Sequence, residues 1–142
     1  MPKARHKVLL TRSVEDVFPF LADCENETKW RPQVVEIGKL SGDGVGATYR
    51  QRVRGPMGLR IPADFRITEF QPNRLIAFQT IAGPVRPVGR YELEATDGGT
   101  SVAFSLEAEL SGVKRPMSKM VAKAMQSEVR ALENLRAVLE RQ

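Results

Sequence analysis

Seven side chains in this sequence have the chemistry to orient or transform a small molecule: Tyr49, Gln51, Thr80, Tyr91, Glu128, His6 and Cys24. Gln51 falls between Tyr49 and Val53 in an alternating run, and Thr80 continues a face carrying Ile76 and Phe78. Amide and hydroxyl groups on a buried face need partners. A ligand could supply one, and so could backbone or water. Glu128 borders an apolar helical stripe, three residues after Met125. Facing an apolar pocket, its carboxyl would resist ionisation and could move a proton; turned away, it would pair with an arginine. His6 shares a face with Val8 and Leu10, which suits a structural histidine better than a catalytic one. Cys24 has no base near it in sequence and reads as a buried, inert thiol. No catalytic residue is assigned on these grounds.

One cysteine and one histidine cannot supply the usual ligands of a zinc site. The sequence holds no phosphate-binding glycine loop and no nucleophile elbow. Neither a metal nor a cofactor is expected.

The elements that must position these groups follow from periodicity. Residues 4–11 alternate as a strand, and Ser13 with Asp16 has the spacing of a capping box ahead of Val14, Val17, Phe18 and Leu21. Pro19 inside that pattern predicts a short or kinked helix, and a second helical turn is expected over residues 25–30. After Trp30 the period becomes two. Strands are expected from Val35, over 46–54, 59–70, 74–81, 88–96 and 100–110, separated by turns such as Ser41-Gly42-Asp43-Gly44 and Asp97-Gly98-Gly99. Pro62 marks an edge or a bulge. The inward residues are Tyr49, Val53, Ile61, Phe65, Ile76, Phe78, Tyr91, Leu93, Phe104 and Leu106. One helix is expected from Pro116 to Glu140, about 40 Å long, with Met117, Met120, Val121, Ala124 and Met125 on its apolar stripe.

Hairpin succession makes an antiparallel meander of about seven strands, and clean alternation covers only one of its faces. The long helix is the element able to cover it, which gives a layered α+β domain spanning 1–142. Hydrophobic residues at 42% and charged residues at 27% supply a real core and exclude extensive disorder. No apolar run reaches the roughly 20 residues of a membrane span, and MPKARHKVLL lacks the core of a signal peptide. A cytoplasmic protein, monomer or homodimer, is expected. The net charge of +5 comes from arginines spread along the chain; Arg50, Arg52, Arg54, Arg60, Arg66 and Arg90 fall on the outer sheet face. Cross-strand pairing with Glu92, Glu94 and Glu107 is one account of them, and an RNA or ribosome surface is another. That face lacks aromatics for base stacking, which disfavours nucleic acid.

Four stretches carry a resemblance to a known family. They are Ser13-Val14-Glu15-Asp16-Val17-Phe18-Pro19-Phe20-Leu21-Ala22-Asp23, then Trp30-Arg31-Pro32, then Pro72-Asn73-Arg74-Leu75-Ile76-Ala77-Phe78, and Gly98-Gly99-Thr100-Ser101-Val102. From about residue 4 to residue 140 the chain resembles the SRPBCC superfamily (START-like, polyketide cyclase/dehydrase and lipid transport). The resemblance implies a helix-grip fold, a curved sheet wrapped around the C-terminal helix. Such a fold hosts ligand carriers, cyclases, hydrolase-like proteins, chaperone activators and ribosome-associated factors, so it does not fix the activity.

The resemblance further implies a cavity between sheet and helix for a hydrophobic small molecule, whether lipid, polyketide-like or aromatic. Its expected lining is Tyr49, Gln51, Phe65, Phe78, Thr80, Tyr91, Phe104, Met120, Ala124 and Glu128. A cyclase or dehydratase working in the same cavity is the alternative, with Tyr49, Gln51, Tyr91 or Glu128 placing the substrate.

Overall fold

The computed structural model describes residues 3–109 and 115–140. The chain opens with β1 (Lys3–Leu10), α1 (Val14–Ala22) and a 3-10 turn (Cys24–Lys29). Strands β2 (Val34–Ser41), β3 (Thr48–Arg54), β4 (Arg60–Pro62), β5 (Phe65–Gln71), β6 (Leu75–Thr80), β7 (Val88–Thr96) and β8 (Gly99–Glu107) follow. Two helices close it, α2 (Arg115–Arg130) and α3 (Leu132–Glu140). Leu110, at the end of the expected last strand, lies outside the described residues.

The strands form one antiparallel sheet in the order β1-β8-β7-β6-β5-β3-β2, with β4 on β3. From β5 to β8 sequence neighbours pair, through short turns at 72–74 and 97–98 and a seven-residue loop over 81–87. The β7–β8 hairpin turns at Asp97-Gly98, flanked by the pair Thr96 and Gly99, and Gly98 takes a φ of 86° that side chains resist. β1 closes beside β8 in an unbroken register from Lys3 with Glu107 to Leu10 with Thr100. The α+β, helix-grip expectation holds, with a seven-strand path and the short β4 in addition.

Three local expectations are corrected. The run 59–70 is two strands, because β3 changes partner along its length: Thr48 and Tyr49 pair with β5, while Arg52 to Arg54 pair with β4. Asp64 fills the break between them, accepting hydrogen bonds from the Gln51 amide at 3.1 Å and from Arg52 at 2.9 Å. Pro62 ends β4, which lies off the main strand path and pairs with β3 in regular register, so it takes the edge position rather than a bulge. Ser13 does precede α1, yet its side chain makes no capping bond. Its carbonyl accepts from the Asp16 and Val17 amides, both at 3.0 Å, and the Asp16 carboxylate takes Arg12 instead. The C-terminal helix is interrupted at Ala131, between α2 and α3. Glu128 before the break and Asn134 after it are both drawn to the segment around Trp30: Glu128 to Arg31, and Asn134 to the Trp30 carbonyl at 3.1 Å.

The core lies between the inner sheet face and the helices. Val17, Val102, Phe104, Val129, Leu132, Leu135 and Leu139 are fully buried there. α2 and α3 pack on β1, and α1 packs on β7 and β8. On α2 Met125 and Val129 are buried and Val121 is half-buried against the core, while Met117 and Met120 are 57% and 55% exposed. On the outer face Arg50 and Arg60 share Glu36, while Arg90 binds Glu69 at 3.0 Å and reaches Glu92 at 3.9 Å. Much of the arginine excess is thus met by sheet carboxylates, as expected in kind, though Glu36 and Glu69 are the main partners.

Candidate functional site: an aromatic row and a buried ionic cluster

Antiparallel register brings one inward residue from each of five strands into a row. Tyr49 of β3 stacks on Phe65 of β5 with ring centres 5.0 Å apart. Phe65 meets Phe78 of β6 at 5.3 Å, Phe78 meets Tyr91 of β7 at 6.1 Å, and Tyr91 stacks on Phe104 of β8 at 4.4 Å. Trp30 stands edge-on to Tyr91 and Phe104, at 6.0 and 6.2 Å. Such contacts each add about 0.5–1.5 kcal/mol beyond simple burial, so the row is a stiff platform. Its middle depends on a missing side chain: Phe78 pairs with Gly89, and a Cβ on Gly89 would sit 2.1 Å from the Phe78 ring.

Gln51 and Thr80 are buried on this same inner side. The Gln51 amide nitrogen donates to the Ala63 carbonyl at 3.0 Å, while its Oε1 has no partner. Seven of the ten candidates, Tyr49, Gln51, Phe65, Phe78, Thr80, Tyr91 and Phe104, therefore share one buried face. The three helical candidates do not join them. Met120 and Ala124 are exposed on the first half of α2, and Glu128 is turned into an ion pair. His6 faces inward at the β1 edge but binds Glu133 of α3 at 2.9 Å. Cys24 is buried, and burial together with the Glu27 carboxylate pushes its thiol far above the ordinary value, which leaves it inert as expected.

Two residues at the heart of the site were not among the candidates. Glu27 and Arg31, four apart around the 3-10 turn, are only 4% and 6% exposed. Arg31 Nη1 binds Glu27 Oε1 at 3.2 Å, and its Nε and Nη2 both bind Oε2 of Glu128, Nε at 3.2 Å. The Tyr91 hydroxyl donates to Glu27 Oε1 at 3.1 Å. Glu27 Oε2 is buried with no partner among the described residues. One guanidinium thus faces two carboxylates, and among the described residues no second cation pairs with either. Burial holds the Glu27 carboxyl above its ordinary value against the opposing pull of Arg31 and Tyr91. Arg31 stays charged: burial disfavours the cation, but Glu128 and Glu27 outweigh that. Burial and the neighbouring Glu27 likewise raise the Tyr91 phenol, keeping it a neutral donor. The cluster ties the 3-10 turn, β7 and α2 together and leaves one carboxyl oxygen uncommitted beside the aromatic row. Among the described residues no three His, Cys, Asp or Glu side chains converge to hold a metal ion, and no helix is long and apolar enough to cross a membrane.

A curved antiparallel sheet gripping a C-terminal helix, with an aromatic inner face, defines a helix-grip protein. The chain belongs to the polyketide cyclase/dehydrase and lipid transport family, whose profile matches residues 1–140. Among solved structures it is similar to TTHA0849 from Thermus thermophilus, at 20% identity and a TM-score of 0.83, covering 97% of each chain. It is similar to the Zhui aromatase/cyclase from Streptomyces at 16% identity and a TM-score of 0.78, covering 98% of this chain and 93% of that one. A START superfamily protein from Mycobacterium smegmatis matches at 18% identity and a TM-score of 0.76, covering 98% and 97%. At these identities the likeness is one of fold. A comparison with curated protein sequences gave no match.

Proposed function

We propose that this protein holds an apolar small molecule between the inner sheet face and the first half of α2. The observation that carries the reading is the contrast along α2. Met125 and Val129 are buried on the core and Val121 half-buried, while Met117 and Met120 keep more than half of their surface exposed. Methionine walls adapt to varied shapes, and a stiff aromatic row suits a flat or unsaturated partner. Tyr49, Gln51, Phe65, Phe78, Thr80, Tyr91 and Phe104 would form the floor, with Met120 and Ala124 as the movable wall. The family includes lipid transport in its description, which supports a carrier role.

The test is native mass spectrometry of freshly purified protein, followed by solvent extraction. A co-purifying apolar compound, or a one-to-one adduct after soaking with lipids and aromatics, supports the reading. A protein that stays unliganded across that panel contradicts it.

A cyclase or dehydratase in the same cavity is the second reading. It is favoured by one observation, a buried carboxyl that resists ionisation beside a phenol. Loss of turnover in Glu27→Gln with ligand binding intact would establish it; unchanged turnover would remove Glu27 from it.

A further inference from the structure

We propose that Glu27 selects the polar end of the bound molecule, its Oε2 forming a hydrogen bond with a carbonyl-type oxygen of an otherwise apolar, aromatic ligand. This rests on the ligand-binding reading above and goes beyond it in naming the ligand's chemical class and the residue that reads it.

The argument is one of unmet bonding. Glu27 Oε1 is fully used by the Tyr91 hydroxyl and Arg31. Oε2 is buried without a partner, an arrangement that costs free energy unless something completes it. The charge count sets the kind of partner. Arg31 neutralises one carboxylate, and Glu128 already takes two of its bonds through a single oxygen. Two ionised carboxylates would leave one buried negative charge uncompensated, so Glu27 carries a proton. The free oxygen is then an O–H donor, and it calls for an acceptor. Its neighbour sets the rest of the ligand: Tyr91, whose hydroxyl donates to Glu27, is stacked on Phe104 and stands edge-on to Trp30. A ketone or similar carbonyl on an aromatic body satisfies both demands. A carboxylate ligand would bring a second negative charge beside Glu128 and is disfavoured.

The experiment compares two probes of nearly equal shape, acetylnaphthalene and ethylnaphthalene, titrated into wild-type protein and followed by fluorescence of Trp30, the chain's one tryptophan. Wild type is expected to bind the ketone about tenfold more tightly, the worth of one buried hydrogen bond. Glu27→Met should bring the ratio of ketone to hydrocarbon affinity down to about one, whatever the change does to either affinity alone. Equal binding of the two probes by wild type overturns this inference and leaves the cavity intact. Binding of neither probe contradicts the cavity reading itself.

A second readout needs no variant. The infrared carbonyl stretch of the bound ketone should fall below its value in hexane, and by less in Glu27→Gln, whose amide is the weaker donor. An unshifted stretch in wild type overturns the proposal.

Discussion

The Tyr91 hydroxyl lies 3.1 Å from Oε1 of Glu27 and donates to it, joining the middle of the aromatic row to the 3-10 turn. That bond, with the Arg31 pairs, means that the sheet floor, the turn and α2 cannot move independently without breaking a buried polar contact. Packing and chemistry in this protein share the same few side chains.

Arg31 is the residue on which the cluster depends. Replacing it by methionine leaves the largely buried Glu128 without its cation and the buried Glu27 without one of its donors. Removing one member of a buried ion pair usually costs about 3–5 kcal/mol. Arg31→Met should therefore lose about 3 kcal/mol in urea unfolding at neutral pH. A loss under about 0.5 kcal/mol would show that the cluster does not hold the helix.

Glu27 imposes a pH dependence whose sign is fixed. Its folded-state value is raised above the ordinary 4.5, chiefly by burial. The folded protein then binds more protons than the unfolded chain above pH 4.5. The stabilising contribution is complete below that pH and is lost as the pH climbs through the folded-state value. Glu27→Gln removes this term. Its stability relative to wild type should rise with pH across that window, by at most about 1.4 kcal/mol per unit. A difference that is flat with pH would mean Glu27 is ionised throughout.

Gly89 gives the row its spacing. With the Phe78 ring 2.1 Å from where a Cβ would be, Gly89→Ala must displace the ring. Overpacking of this kind costs about 1–3 kcal/mol. The variant should unfold at lower urea and bind naphthyl probes more weakly. Unchanged binding would separate the ligand site from the middle of the row.

Legibility in the sequence followed chemistry. The alternation of 46–54, 59–70, 74–81, 88–96 and 100–110 exposed the aromatic row residue by residue, because register fixes which side chains share a face. Glu27 stayed hidden because Cys-Glu-Asn-Glu-Thr-Lys reads as a polar helical turn with no apolar face, and only the fold places it under Tyr91. The one available signal was its position four residues before Arg31, beside the buried Trp30. The break at Ala131 has no glycine or proline to announce it. Met120 and Ala124 lie on a true apolar stripe, but a stripe records what could be covered and not whether anything covers it.

Met120 separates those two roles. At 55% exposure it contributes little to folding, so Met120→Lys should change stability by no more than about 0.5 kcal/mol. If the first half of α2 is a wall of the site, the same change should weaken binding of an apolar probe about tenfold, read by Trp30 fluorescence. Equal affinity would place the ligand elsewhere.

The most direct test of the central claim uses the methionine methyl groups as reporters. Protein labelled with carbon-13 at methionine methyls is titrated with ethylnaphthalene and followed by NMR, with Trp30 fluorescence recorded in parallel. The account predicts saturable shifts at Met117, Met120 and Met125, with the same midpoint as the change at Trp30 and a one-to-one stoichiometry. Methyl signals that stay fixed, or drift without saturating while Trp30 is unchanged, would contradict a ligand site between the sheet and α2.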